Sequence, residues 1–171
     1  MSNEIFLIDA NSLITPHLRY YPFDFAPGFW NQLENHLVDG VIVILDMVKD
    51  EILQGNDKLT EWMKTVKIAT SIDHRQPALL EKYRLVLQHV QTNPCYKPSA
   101  LTEWSRQSVA DPWLIATAAE YGYTIVTFEN SNKSLNAGTP SKKAKIPDVA
   151  QQFGVNTQNL FYMMRKLDFR L

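Results

Sequence analysis

Short apolar runs recur along the chain, and helical patterns separate them. Ile5 to Ile8 is the first run, and Tyr123 to Thr127 (YTIVT) is another. Val41 to Leu45 (VIVIL) is apolar without alternation and rich in β-branched residues, a pattern typical of a strand that is covered on both faces. We predict these three segments to be strands, and a short last strand near Ala144–Ile146.

Helix signals fill the intervals between the strands. Pro27 opens a helix that reaches Val38, and Gly40 ends it. Asp46 and Asp111 read as N-caps of the helices that follow them. Further helical patterns cover Leu59–Val66, Pro77–Val90, Ala100–Gln107, the segment after Asp111 up to Gly122, Asp148–Phe153 and Thr157–Leu167.

This alternation of strands and helices predicts an α/β fold. Right-handed crossovers between successive strands give a parallel sheet with helices on both faces. We therefore expect a three-layer α/β/α arrangement with a central parallel sheet of about four to five strands. A chain of 171 residues fits one domain, so residues 1–171 are predicted to form a single domain.

Two segments do not fit this alternation. The aromatic segment RYYPFDFAPGFW, Arg19 to Trp30, is too rich in proline to be one regular element. Its rings are expected more often in the core or as loop anchors than as a platform for stacking nucleic-acid bases. The segment Asn130 to Lys145 is polar and rich in lysine, and is predicted to be a loop.

Composition indicates a globular protein and gives no sign of export. Hydrophobic residues make up 45% and charged residues 20% of the chain, and no apolar run approaches the length of a membrane span. No basic segment precedes the first apolar run, so that run does not read as a signal peptide. The single Cys95 cannot form an internal disulfide. We expect a reducing, cytoplasmic setting and no membrane association.

The net charge of −1 hides an uneven distribution. Residues 1–132 hold 16 acidic and 10 basic side chains, whereas residues 133–171 hold 2 acidic and 7 basic ones. Lys142, Lys143 and Lys145 form the densest basic cluster. They are candidates for contacts with RNA phosphates, and an equally simple interpretation is that they solvate a loop.

Several kinds of site are excluded by the motifs. The glycines do not fall at dinucleotide-binding or phosphate-loop spacing. The four histidines are scattered and have no cysteine partners at zinc-binding spacing. No GxSxG sequence is present, so a serine hydrolase has no nucleophile elbow.

Four acidic residues lie around the predicted strand ends. Asp9 ends the first strand, Glu51 lies in the helix after the second, Asp111 begins the helix before the third, and Glu129 follows that strand. In open parallel sheets, ligands bind beyond the carboxyl ends of the strands, so these acids are candidate metal ligands. Each also has a simpler interpretation, since Asp9 and Asp111 precede helices as caps do and the glutamates occupy a helix and a turn.

Four segments carry a family resemblance. IFLIDANSLI, VKDEILQG, ADPWLIATA and IVTFEN occur in the order of the four signature segments of the PIN domain family, best known from the VapC-type toxins of bacterial toxin–antitoxin pairs. The resemblance spans the chain from Ile5 to about Ile146. It implies a PIN-like nuclease domain. Within the family, the chain looks closest to a subgroup with an RYYPFDF-like aromatic segment after the first motif.

The resemblance assigns roles to individual residues. The family's first three acids fall on Asp9, Glu51 and Asp111. The fourth falls on Glu129, where the family more often has Asp. Small polar positions of the family match Asn11, Ser12 and Thr127. The implied cofactor is Mg²⁺ or Mn²⁺, because hard divalent cations prefer oxygen ligands. Each ion would activate an attacking water and stabilise charge on the phosphate.

The implied function is a metal-dependent endoribonuclease that acts as the toxin of a toxin–antitoxin pair. RNA is then the substrate, and a cognate antitoxin and a second copy of the chain are candidate partners. Two alternatives stay open. One is a PIN-like module that binds RNA or protein with weakened catalysis. The other is a phosphatase with Asp9 as nucleophile, although that class usually has a second Asp where this chain has Asn11.

Overall fold

Five strands and nine α-helices form within residues 3–171, the part of the chain that this computed structural model describes. All of the strands are short, with two to four residues each. In chain order they are β1 (Phe6–Ile8), β2 (Ile42–Leu45), β3 (Ser71–Ile72), β4 (Thr124–Val126) and β5 (Thr157–Gln158).

The helices account for most of the regular structure. They are α1 (Asn11–Thr15), α2 (Pro27–Val38), α3 (Asp46–Leu53), α4 (Lys58–Thr65), α5 (Pro77–Thr92), α6 (Pro98–Trp104), α7 (Asp111–Tyr121), α8 (Ile146–Gln152) and α9 (Leu160–Lys166). A π-helical turn, Pro16–Tyr20, follows α1. Within residues 3–171, no helix is both long and apolar enough to cross a bilayer.

The strands form one sheet in the order β3-β2-β1-β4-β5. The pairs β1–β2, β1–β4 and β2–β3 are parallel, with Phe6 opposite both Ile42 and Thr124. The α/β class and the central parallel sheet of four to five strands that the sequence predicts are therefore confirmed. The chain first builds the sheet outward from β1 through β2 to β3, and then returns to the other side of β1 with β4.

The central strands are buried on both faces. Every residue of β1, β2 and β4 is buried, and the side chains of Phe6, Ile42 and Ile125 have no exposed surface. Each fully buried side chain of this size contributes about 1.5–3 kcal/mol of hydrophobic free energy. Such short strands can therefore anchor the sheet.

The chain divides into two compact units. The first contains residues 3–73, 124–128 and 158–171, and with them β1 to β4 and helices α1 to α4 and α9. The second contains residues 74–123 and 129–157, with helices α5 to α8.

Proline and glycine set several helix boundaries as predicted. Helix α2 begins at Pro27 and ends at Val38, and Gly40 has a φ of 74°. Helix α7 ends where Gly122 adopts the left-handed conformation with a φ of 73°. A residue with a side chain is strained in that conformation, which is why glycine stops a helix there.

Some of the predicted elements are wrong. Ala144–Ile146 is not a strand, because Ile146 is the first residue of α8, with Pro147 in its first turn. Thr157 belongs to β5, and the last helix begins only at Leu160, where the Asn159 side chain accepts a hydrogen bond from the Tyr162 N–H at 2.9 Å. The sequence reading did not detect β3, a strand of two residues.

The predicted caps also shift by one residue. Asp46 and Asp111 are the first residues of α3 and α7, and the N-caps are Leu45 and Ala110. An acidic side chain in the first turn still stabilises a helix through the positive end of its dipole.

The aromatic segment divides between core and surface. Phe29 and Trp30 are buried, and the Trp30 ring stacks on Phe23 with 4.1 Å between ring centroids. Tyr20 and Phe25 are instead 45% and 82% exposed. Phe29 and Trp30 therefore have the predicted core role, whereas Tyr20 and Phe25 lie outside the core.

Candidate metal centre

Asp9 lies at the carboxyl end of β1, in the middle of the sheet. Its N–H donates to the carbonyl of Val126 on β4 at 3.0 Å, which continues the pairing of the two strands by one residue. The residue is only 6% exposed. A carboxylate buried to this extent costs folding free energy unless hydrogen bonds or a cation compensate it, so its surroundings decide what it can do.

Two polar residues, Thr127 and Ser12, donate hydrogen bonds to Asp9. The Thr127 hydroxyl, just after β4, donates to Asp9 Oδ2 at 3.0 Å. Ser12, in α1, donates its N–H to the Asp9 carbonyl at 2.9 Å and its hydroxyl to the Val126 carbonyl at 3.0 Å. Asp9, Ser12 and Thr127, which the sequence nominated separately, are thus brought together in the first unit.

Asn11 occupies the first position of α1, and its side chain is exposed. It lies two residues after Asp9 in the chain.

Sheet topology makes this edge a natural ligand site. The chain leaves β1 in one direction towards β2 and β3 and in the other towards β4, so the strand order reverses between β1 and β4. In open α/β sheets, ligands bind at the carboxyl edge where the order reverses. Asp9 and Thr127 flank that point.

Two more acids follow the neighbouring strands at the same edge. Asp46 comes directly after β2, and Asp73 directly after β3. A carboxylate oxygen of Asp46 lies within 4.8 Å of one of Asp73, a spacing at which both could bind a single ion. Asp46 is half-buried and Asp73 is exposed. Three adjacent parallel strands, β3, β2 and β1, are therefore each followed directly by an aspartate.

Sequence reasoning missed Asp46 and Asp73 as site residues. Asp46 directly follows VIVIL, and its place at the end of a predicted strand could have identified it as a candidate ligand. Its interpretation as an N-cap hid that possibility. Asp73 follows a strand that the sequence did not reveal. The next residue, His74, brings an imidazole, which is a ligand suited to transition metals. In the second unit, its ring meets the Trp113 ring edge to face, with 4.9 Å between centroids.

Glu51 lies on α3, in the first unit. Its side chain reaches solvent, yet the protein around the carboxyl partly desolvates it and raises its pKa above the ordinary value. A raised pKa means that the charged form is disfavoured, and a bound cation would reverse this preference.

Asp111 begins α7 in the second unit. This helix is buried from Pro112 to Ala118, an extent that fixes its position within the unit. Asp111 itself is half-buried.

Glu129 is engaged by the segment that leads into α8. Its Oε2 accepts a hydrogen bond from the Ile146 N–H at 2.7 Å, and its Oε1 lies 4.0 Å from the Lys145 ammonium. Both contacts lie within the second unit. The predicted basic cluster is therefore not uniform: Lys145 lies beside Glu129, whereas Lys142 and Lys143 are exposed.

The family model described as Domain of unknown function (DUF4411) matches residues 6–171. The chain belongs to this family. No curated protein matches it.

The donor set of this DUF4411 chain fits a hard divalent cation. Its candidates at the sheet edge are carboxylates, with hydroxyl and amide groups close by in the chain. Mg²⁺ and Mn²⁺ prefer oxygen ligands of this kind, and Mg²⁺ typically keeps several waters beside one or two carboxylates. Asp9 is the most buried of these acids, so a cation there would offset the cost of burying its charge.

Proposed function

We propose that the protein is a PIN-like, metal-dependent ribonuclease that hydrolyses RNA phosphodiester bonds with Mg²⁺ or Mn²⁺. One observation carries the proposal. A buried aspartate, Asp9, lies at the carboxyl edge of the sheet where the strand order reverses, and Thr127 holds its carboxylate at 3.0 Å. Asp9, which the PIN resemblance assigns to the first motif, and Thr127, which it assigns to a position after the strand of the last motif, are hydrogen-bonded here.

Asp9 is the direct metal ligand in this proposal. Thr127 fixes the carboxylate oxygen that it bonds, and Ser12 fixes the turn between β1 and α1. Ligands held in place before the ion arrives lose less entropy on binding. Glu51 orients the attacking water or binds through a water molecule. The resemblance adds Asp111 and Glu129 as acids of the second unit.

The ion would supply two things: a lower pKa for the attacking water, and stabilisation of the charge on the phosphate oxygens and the leaving group. The chain supplies the rest. Asp9 positions the ion at the sheet edge. Glu51, whose pKa is raised above its ordinary value by partial burial, is the candidate acceptor of a proton from the attacking water.

RNA as substrate and a role as a toxin both rest on the PIN resemblance. A toxin of this kind has an antitoxin as partner, and the proposal includes pairing of two copies of the chain. A small neighbouring gene that encodes a DNA-binding protein would support the toxin role.

Cleavage of a panel of labelled RNAs in Mg²⁺ and in Mn²⁺ tests the proposal. Asp9→Asn and Asp111→Asn should each abolish cleavage, because each removes a ligand charge, and excess EDTA should stop the parent. Asp50→Asn is the matched control, since Asp50 is an exposed acid directly before Glu51. Unaltered cleavage by folded Asp9→Asn, or full activity in EDTA, would refute the mechanism.

The same assay locates the ion along the sheet edge. Asp46 and Asp73 form a second candidate centre. If the ion binds at Asp9, Asp46→Asn and Asp73→Asn should keep more cleavage than Asp9→Asn. Mn²⁺ affinity, measured by titration with each variant, should rank them in the same order.

A further inference from the structure

Beyond β4, the chain continues through Thr127 into an aromatic cluster. Phe128 is the next residue, and its ring lies nearly parallel to the ring of Tyr20, with 6.3 Å between centroids and 22° between planes. Phe161, in α9, meets Tyr20 edge to face at 5.9 Å. We call Tyr20, Phe128 and Phe161 the aromatic platform. All three belong to the first unit.

Tyr20 is the most exposed member of the platform. It is 45% exposed, whereas Phe128 and Phe161 are half-buried. Tyr20 ends the π-helical turn Pro16–Tyr20, which is closed by a 2.7 Å hydrogen bond from the Tyr21 N–H to the Pro16 carbonyl. π-helical turns are rare and often occur at functional sites. Two half-buried rings support a third ring that solvent can reach.

The location of the platform restricts what could cover it. Phe128 is bonded to Thr127, and Thr127 hydrogen-bonds Asp9. A substrate strand with its phosphate at Asp9 would run past the start of this segment, since Phe128 lies one residue from the side chain that bonds Asp9. Cationic groups lie alongside: Arg19 is exposed next to Tyr20, and Arg165 borders a cavity of about 170 Å³ together with Phe161.

We infer that the aromatic platform stacks an unpaired base of single-stranded RNA next to the phosphate that is cleaved. This inference rests on the proposed function and adds to it a base-stacking subsite. Bases stack on aromatic rings without regard to sequence, because every base has a π-face. A base within a duplex is already stacked and paired, so the platform selects single strands. Arg19 and Arg165 contact phosphates of the same strand.

The experiment measures RNA binding in EDTA, where the proposed hydrolysis cannot occur. The probes are a fluorescent 12-nucleotide single strand, its duplex, and an abasic strand that has the same phosphates without bases. Tyr20→Leu should bind the single strand about tenfold more weakly, a typical loss for one stacked base. Its affinity for the duplex and for the abasic strand should stay at the parent's level.

Three further variants make the result specific. Tyr20→Phe keeps the ring and should bind like the parent. Tyr121→Leu removes a tyrosine of similar exposure, 42%, from the second unit and should also bind like the parent. If Tyr20→Leu fails to fold by circular dichroism, Phe128→Leu takes its place and should show a loss of the same kind, because it removes the support of the Tyr20 ring.

The inference is overturned if folded Tyr20→Leu binds the single strand as the parent does, or loses affinity equally for the abasic strand. It is also overturned if the parent binds no RNA, or if Tyr20→Leu changes only the oligomeric state in size-exclusion chromatography, which would mark a protein interface. The two proposals fail separately. Tyr20-dependent binding by a parent that does not cleave in Mg²⁺ would reject the nuclease and keep the platform.

Discussion

Glu129 accepts a hydrogen bond from the Ile146 N–H at 2.7 Å, and Ile146 is the first residue of α8. The carboxylate therefore serves one of the N–H groups at the start of a helix that have no partner within it. Its negative charge also lies at the positive end of the helix dipole. At this residue the chain differs from the PIN pattern that its sequence resembles, and the glutamate side chain has a structural use here.

The first prediction separates this structural use from a catalytic one. Glu129→Ala should lower the free energy of unfolding by about 1 kcal/mol, since it removes a capping acceptor. Glu129→Gln retains an acceptor oxygen and should stay closer to the parent. Urea denaturation of the three proteins measures the difference.

The same two variants report on catalysis. We expect Glu129→Gln to keep more Mg²⁺-dependent cleavage than Asp9→Asn, because the backbone of the second unit already engages this carboxylate. Equal inactivity of folded Glu129→Gln and Asp9→Asn would instead identify Glu129 as a metal ligand.

Elements with strong local signals could be predicted from the sequence. Helix α2 begins at Pro27 as predicted, and Gly122 stops α7, because proline and glycine act on the backbone whatever surrounds them. The long apolar run VIVIL revealed β2. Strands β3 and β5 have two residues each, too few for a periodic pattern, and their existence depends on neighbours that are distant in the sequence.

The same distinction applies to the candidate site. Asp9 could be predicted, because a strand of clear pattern ends there. The pairing of Asp9 with Thr127 joins residues 118 positions apart, and only the strand order brings them together. The resemblance indicated Thr127 as a site position but did not indicate that it would hydrogen-bond Asp9. Asp73 could not be found, because the two-residue strand before it gives no local signal.

The second prediction concerns the Thr127 hydroxyl. Thr127→Val keeps the shape of the side chain and removes the donor to Asp9, which leaves a buried carboxylate with one hydrogen bond fewer. Hydrogen bonds to charged groups contribute about 1.5–3 kcal/mol, so we expect the free energy of unfolding to fall by a similar amount.

Thr127→Ser is the matched control for that substitution, because it retains the hydroxyl. It should be more stable than Thr127→Val and should keep more cleavage activity. Equal stability of the valine variant and the parent in urea denaturation would show that the hydrogen bond does not matter for folding.

The third prediction concerns pH and His89, in α5 of the second unit. Burial lowers the pKa of this imidazole below its ordinary value, and its ring meets Phe153 edge to face at 6.0 Å between centroids. The folded protein therefore resists protonation of His89, whereas the unfolded chain takes up the proton near the ordinary histidine pKa of about 6.5. The contribution of neutral His89 to the free energy of unfolding is therefore complete above the pKa of the unfolded chain. It is lost as the pH falls through the lower pKa of the folded protein.

Replacement by a residue that does not titrate should remove this loss. Between pH 7.5 and about pH 5, the free energy of unfolding should fall less for His89→Gln than for the parent, because protons no longer bind preferentially to the unfolded chain at this position. Gln91→Ala, at an exposed position of the same helix that carries no titratable group, serves as the control and should follow the parent. Urea denaturation at a series of pH values gives both slopes. Parallel slopes for His89→Gln and the parent would mean that His89 takes up its proton equally in the folded and unfolded states, contrary to its burial against Phe153.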